Sequence, residues 1–272
     1  CSSDLGRELI DGMASWWTAC HGYNHPHIRS AVEKQLKEMP HIMFGGLVHK
    51  PALTLASKLV KLLPSPLERV FFSESGSVAV EIAMKMAIQF WLNRGIKGKH
   101  RLISFHGGYH GDTLGAMSIC DPEEGMHSLF QGALLSQHVV PLPKNEDELK
   151  VFEQFIEEHV TECAAVIIEP LIQGVGGMLM HSPACLQGIS EICSNYELLV
   201  IFDEIFTGFG RSGQMFAMQE VGVVPDIVTF SKALTGGTVA LSATIASVEV
   251  FNAFLSMDEG AEIRRASCRE RV

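Results

Sequence analysis

Six short apolar runs recur along this chain, separated by longer stretches of helical period, and that alternation restricts the fold more than any other feature. The runs are Arg69–Phe72, Arg101–Phe105, Ala164–Ile168, Leu198–Phe202, Ile227–Phe230 and Leu241–Ala246. Apolar runs of this length with helical text between them predict βαβ units, hence an α/β fold with a mostly parallel sheet and flanking helices. Between the first two runs, Ser77 to Trp91 sets Ala79, Ala83, Met86 and Phe90 on one helical face. That face predicts a helix packed on the sheet, with Met84 and Met86 as core filler rather than ligands.

With 272 residues and 47% hydrophobic content, the chain has enough apolar text for a large core. Residues 45–254 are expected to form one large domain, entered through Pro64-Ser65-Pro66. Residues 1–44 are expected to be a separate N-terminal segment with a short strand pair. Residues 255–272 are expected to be a non-native tail: "AEIRRASCRERV" resembles translated adapter sequence, so a C-terminal part is expected to be missing. Cys1-Ser2-Ser3 is read as a start within a gene rather than a lipidated terminus.

A formal charge of −10 argues against nucleic acid or an anionic membrane as partner, since both select clustered Lys and Arg. No apolar stretch approaches a membrane span. Seven cysteines, widely spaced and without a C-x-x-C pair, point to a reduced, cytoplasmic protein.

In open α/β sheets ligands collect beyond the carboxyl ends of the strands, and four such ends here carry suggestive text. "FFSESGSVAV" places Gly76 and Ser77 at a helix N-terminus, where free N–H groups suit a phosphate; plain N-capping by serine is the alternative. Neither G-x-G-x-x-G after a strand nor a P-loop is present, which counts against a dinucleotide-binding oxidoreductase. "RLISFHGGYHGDT" places Tyr109 in a glycine-rich loop, where its ring could lie against a flat cofactor or simply close a turn. His106 and His110, with His21, His25 and His27, invite thought of zinc, but neither group has a helical H-E-x-x-H form and no metal is expected. "AAVIIEPLIQGVGG" presents Glu169 directly after a strand. "ELLVIFDEIFTGFGR" presents Asp203, an acid that is costly at a buried strand end unless something cationic or protonated meets it.

Lys232, in "DIVTFSKALTGG", lies 29 residues beyond Asp203, one β-α-β step along. Among apolar neighbours its pKa is expected to fall, freeing an amine that can condense with an aldehyde. A phosphate cradle, a stacking ring, an acid for a protonated ring nitrogen and an amine describe a site for pyridoxal 5'-phosphate.

"IFDEIFTGFGRSG" followed by "PDIVTFSKALTGG" resembles the class III pyridoxal-phosphate-dependent aminotransferases of fold type I. "DGMASWWTACHGYNHPHI", "HIMFGGLVHKPA" and "GYHGDTLGAMSICDP" are similar to the branch that uses S-adenosylmethionine as amino donor and 8-amino-7-oxononanoate as acceptor, in biotin biosynthesis. Other members act on ω-amino acids or diamines. The resemblance implies a homodimer with Lys232 as the catalytic residue that holds the cofactor. It implies Asp203 at the ring nitrogen, Gly76 and Ser77 at the phosphate, and Tyr109 against ring and substrate. Trp16 would line the substrate pocket. The family's arginine for the substrate carboxylate and its cross-subunit threonine have no match here, and Phe206 is larger than the family's usual residue at that point. A non-catalytic fragment is therefore a further reading of this polypeptide.

Overall fold

The apolar runs become strands because their alternate side chains have a core on either side to enter. The computed structural model describes residue 6, residues 8–123 and residues 125–255. Its strands are β1 (Leu67–Ser73), β2 (Arg101–Phe105), β3 (His138–Val140), β4 (Cys163–Ile168), β5 (Ile172–Gln173), β6 (Leu179–Met180), β7 (Leu199–Asp203), β8 (Ile227–Phe230) and β9 (Ser242–Ser247). Seven form one sheet in the order β1-β9-β8-β7-β4-β2-β3, and β5 and β6 form a separate antiparallel pair. Strand β9 pairs antiparallel with both neighbours, while the pairs from β8 through to β3 are parallel. Thus β9 alone runs against the rest of the sheet.

Two apolar cores sit on the two faces. Along β4, Val166 and Ile168 enter one core while Ala165 and Ile167 enter the other, the period-2 alternation of a strand buried on both sides. The helix Gly76–Asn93 covers the second face, with Ala79, Ala83, Met84, Met86 and Phe90 all buried as its pattern predicts. Helices Lys50–Leu62, Glu146–His159 and Pro183–Asn195 supply buried residues to the first.

The structure departs from the sequence reading in three ways. The edge strand β3 and the β5–β6 pair were not expected: three and two residues are too short to show a period. The reversed direction of β9 leaves no trace in an apolar run. The strand pair expected before Phe44 is not found among the described residues, where Pro26–Glu38 is a helix with no buried residue. Leu9 and Ile10 are exposed there, beside a single-residue bridge at Glu8. Cys1-Ser2-Ser3 and the tail from position 256 lie outside the described residues.

Candidate active site

The parallel strands deliver their last residues to one edge of the sheet. There the ends of β4, β7 and β8 meet the loop after β2 and the helix start after β1 around a cavity of about 160 Å³. Five of the six residues singled out from the sequence line it: Gly76, Ser77, Tyr109, Asp203 and Lys232.

Asp203 ends β7 and is 2% exposed. Its Oδ1 accepts from Thr229 Oγ1 at 3.1 Å and from the Ile205 N–H at 3.2 Å; its Oδ2 lies 2.8 Å from His110 Nδ1. Thr229 reaches it because β7 and β8 pair Asp203 with Thr229 in register. The carboxylate is therefore clamped from both sides by protein neighbours.

Lys232 follows β8 with φ of 42°, a left-handed conformation that L-residues adopt at a cost. Its Nζ lies 4.8 Å from the Trp17 ring centroid and 5.5 Å from that of Phe206. Burial lowers the pKa of the amine; the nearby Asp203 and Glu169 carboxylates raise it in opposition, and Arg211 lowers it further. Desolvation wins, so more of the amine is unprotonated than in water.

Glu169, directly after β4, is 3% exposed and accepts from the Tyr109 and Gly174 N–H groups, each at 3.0 Å. Burial pushes its pKa up to about 7. Glu204 is also buried and pushed up to about 7, but it points away from the cavity and accepts from the Ala217 and Met218 N–H groups, both at 2.8 Å, at the start of a short helix.

At the helix entrance, Ser75 is the cap: its side chain accepts from the Val78 N–H at 3.3 Å. The alternative of simple capping thus falls to Ser75, leaving Gly76 and Ser77 as the first helical residues, whose N–H groups have no partner within the helix. Ser77 Oγ accepts from the Asp112 N–H at 3.0 Å. A Cβ on Gly111, whose φ is 130°, would overlap Ser77, so only glycine lets that loop approach the helix start. Tyr109 donates its hydroxyl to Asp112 Oδ2 at 2.9 Å, and burial raises its pKa.

Trp16 is the residue the structure does not bring into the cavity: it is 64% exposed and meets Trp17 edge-on at 5.5 Å. Ala14 to Trp17 all have positive φ, from 47° to 63°. Adjacent residues of such a turn point apart, so one indole faces the lysine and the other faces out. The turn is held where Trp17 packs on Phe206 at 5.0 Å and Arg211 Nη2 donates to the Trp17 carbonyl at 2.8 Å, while Arg211 Nε donates to the Phe206 carbonyl at 2.6 Å. Phe206 lines the cavity with its own ring.

Three site residues escaped the sequence reading. His110 entered it only as a metal candidate, and its partner is 93 positions away. Thr229 carries no motif of its own. Trp17 stood beside the residue that was chosen. His106, the other metal candidate of that loop, pairs with Asp121 at 3.4 Å instead.

The residues present fit pyridoxal phosphate. The cavity combines a fixed buried carboxylate, an amine kept partly neutral by desolvation, a helix start with open N–H groups, and aromatic walls. These are the partners that a ring nitrogen, an aldehyde, a phosphate and a flat heterocycle each require.

The profile of the Aminotransferase class-III family matches residues 3–262. The adenosylmethionine-8-amino-7-oxononanoate aminotransferase of Mycobacterium leprae is 50% identical over 249 residues, covering 90% of this chain and 57% of that protein. Its counterpart in Saccharomyces cerevisiae is 37% identical over 281 residues, covering 91% and 58%. Among solved structures, the adenosylmethionine-8-amino-7-oxononanoate aminotransferase of Methanocaldococcus jannaschii superposes with a TM-score of 0.89 at 34% identity, covering 98% of this chain and 62% of that one. A PLP-bound amine transaminase from an uncultivated Pseudomonas species gives 0.90 at 29% identity, covering 99% and 64%. The chain thus spans a little over half the length of the curated relatives it matches. With residues 3–262 matched by the family and its fold shared with solved transaminases, this chain belongs to the class-III aminotransferase family.

Proposed function

We propose that this polypeptide is the cofactor-binding part of a pyridoxal-phosphate-dependent aminotransferase that moves an amino group from S-adenosylmethionine to 8-amino-7-oxononanoate, giving 7,8-diaminononanoate. The observation that carries the reading is the placement of Lys232: a desolvated amine beside a clamped, buried Asp203, at the strand edge where the helix start opens. The named relatives, at 37–50% identity, favour this substrate pair over an ω-amine. A cytoplasmic homodimer completes the proposal. Five described cysteines are free, in keeping with a reducing compartment, and no helix among the described residues is long and apolar enough to cross a membrane.

Bound pyridoxal phosphate supplies an aldehyde for capturing amines and an electron-withdrawing ring that accepts the electron pair of the substrate Cα–H bond. Lys232 would hold the cofactor through its neutral amine and, once freed by substrate, would take up the proton leaving the substrate Cα. Asp203 would keep the ring nitrogen protonated; Thr229 and His110 hold its carboxylate in place. The Gly76 and Ser77 N–H groups would bind the phosphate dianion at the positive end of the helix dipole. Tyr109 would meet the ring and the substrate, Trp17 and Phe206 would shut water from the amine, and Trp16 would line the outer wall of the substrate pocket.

The test uses a chain extended to the length of the relatives, loaded with the cofactor. Borohydride trapping followed by peptide mapping is expected to place the cofactor mass on Lys232, and S-adenosylmethionine to support diaminononanoate formation. An unmodified Lys232 peptide ends the proposal. Turnover of a simple ω-amine with none of S-adenosylmethionine would leave the chemistry and overturn the substrates.

A further inference from the structure

We propose that His138, His159 and Glu162 form a binding site for a borderline divalent cation of the zinc type, at the edge of the sheet opposite the lysine cavity. His138 opens the edge strand β3, His159 closes the helix Glu146–His159, and Glu162 stands one residue before β4. Three segments therefore converge at the amino ends of parallel strands, remote in the fold from the strand ends that carry Asp203 and Lys232.

The donor set suits such a cation: two imidazole nitrogens and one carboxylate oxygen select zinc, cobalt, nickel or copper over magnesium or calcium, which prefer oxygen alone. His138 Nε2 lies 3.0 Å from Glu162 Oε1, and His159 Nδ1 lies 2.9 Å from the same oxygen. All three donor atoms fall within 4.8 Å of one another. Around a tetrahedral zinc with bonds of about 2.0–2.1 Å, donors stand roughly 3.3 Å apart, so each imidazole needs to draw back from Glu162 Oε1 by only a few tenths of an ångström, and the two ring nitrogens already lie within 4.8 Å of each other. The rings are already held: Phe155 packs on His138 at 5.3 Å and on His159 at 4.4 Å between centroids. Arg101 Nε engages the other carboxylate oxygen, Oε2, at 3.3 Å, which orients Glu162 and leaves Oε1 to the metal. The donors are partly covered, with side-chain exposures of 14%, 31% and 32%, so one side remains open to a water or a fourth ligand. Bound there, the cation would clip the helix end to the short strand β3, whose pairing is to β2 alone.

The test is a calorimetric titration of the chelator-stripped full chain with zinc chloride, together with the shift in Tm. The exposed histidines of the N-terminal segment and the thiols add background, so the readout is the difference between the parent and His159→Gln. That variant is expected to lose one equivalent of zinc and the zinc-dependent rise in Tm, and Glu162→Gln to bind at least about tenfold more weakly. Cobalt(II) is expected to give the visible bands of a four-coordinate site in the parent and not in His159→Gln. If circular dichroism shows His159→Gln unfolded, Glu162→Gln decides alone. Equal zinc stoichiometry and equal Tm shifts in parent and folded variants would overturn the proposal, as would an equal Tm shift from magnesium.

Discussion

Two lysines at opposite edges of the sheet share their local physics and differ in what surrounds them. Lys232, at the carboxyl edge, lies over the Trp17 ring at 4.8 Å; Lys99, just before β2 at the amino edge, lies over the Trp91 ring at 4.3 Å. Burial lowers the pKa of both, against nearby acidic groups that raise it: Asp203 and Glu169 for Lys232, Cys163 and Glu197 for Lys99. A desolvated amine on an indole is thus a motif this fold builds twice. Lys232 borders a cavity that also holds a clamped carboxylate and an open helix start, whereas Lys99 is 9% exposed and seals the end of a core. The lesson is that a depressed amine pKa marks a buried lysine, and only the company it keeps marks a reactive one.

Removing each lysine in turn from the extended, cofactor-loaded enzyme separates the two. Lys232→Ala is expected to lower the transamination rate by at least about 10³-fold in single-turnover assays, while Lys99→Met leaves it within about twofold. Loss of turnover in Lys99→Met with the fold intact would erase the distinction. Next in size, Asp203→Asn keeps the shape of the clamp but removes its charge, with an expected fall of roughly 10²-fold in kcat. Trp17→Ala admits water to Lys232 and is expected to raise the apparent pKa in the pH profile of kcat, whereas Trp16→Ala leaves that pKa where it is. Equal shifts in the two tryptophan variants would mean that the orientation of the turn is wrong for the loaded enzyme.

Smaller effects concern stability and have opposite signs at the two kinds of buried charge. Glu169, raised to about 7, holds a proton in the folded state that the unfolded chain gives up at lower pH. Its contribution is present below pH 4.5 and is lost as pH rises through 7, a change of roughly 3 kcal/mol. Glu169→Gln is expected to flatten that part of the stability curve in urea titrations. The lysines act the other way: a lowered folded pKa means the unfolded state binds more protons, so stability rises as pH climbs toward 10.5. Lys99→Met is expected to blunt that alkaline rise.

Much of the sheet was legible because each strand buried on both faces is a run of apolar residues, and strand ends identify themselves by the polar text that follows. Asp203 and Lys232 stood out for the same reason: each follows an apolar run with an ionisable group, and both line the cavity. What escaped was whatever depends on geometry across the chain. His110 needs Asp203, Thr229 needs the β7–β8 register, and the choice between Trp16 and Trp17 needs a left-handed turn that no local propensity announces. Glu169 was visible at its strand end, yet nothing in its neighbours disclosed that two backbone amides would receive it.

The reversed strand β9 also fixes how Lys232 is mounted. Because it runs against β8, the chain returns to the sheet at the edge it has just left, and Ser231 Oγ donates to the Leu241 carbonyl at 3.2 Å to pin the neck of the loop. Lys232 therefore rides on a short tether with both feet planted in adjacent strands, instead of at the head of a long crossover helix. Such a mounting lets the side chain swing while its backbone stays put, as a lever requires of its pivot.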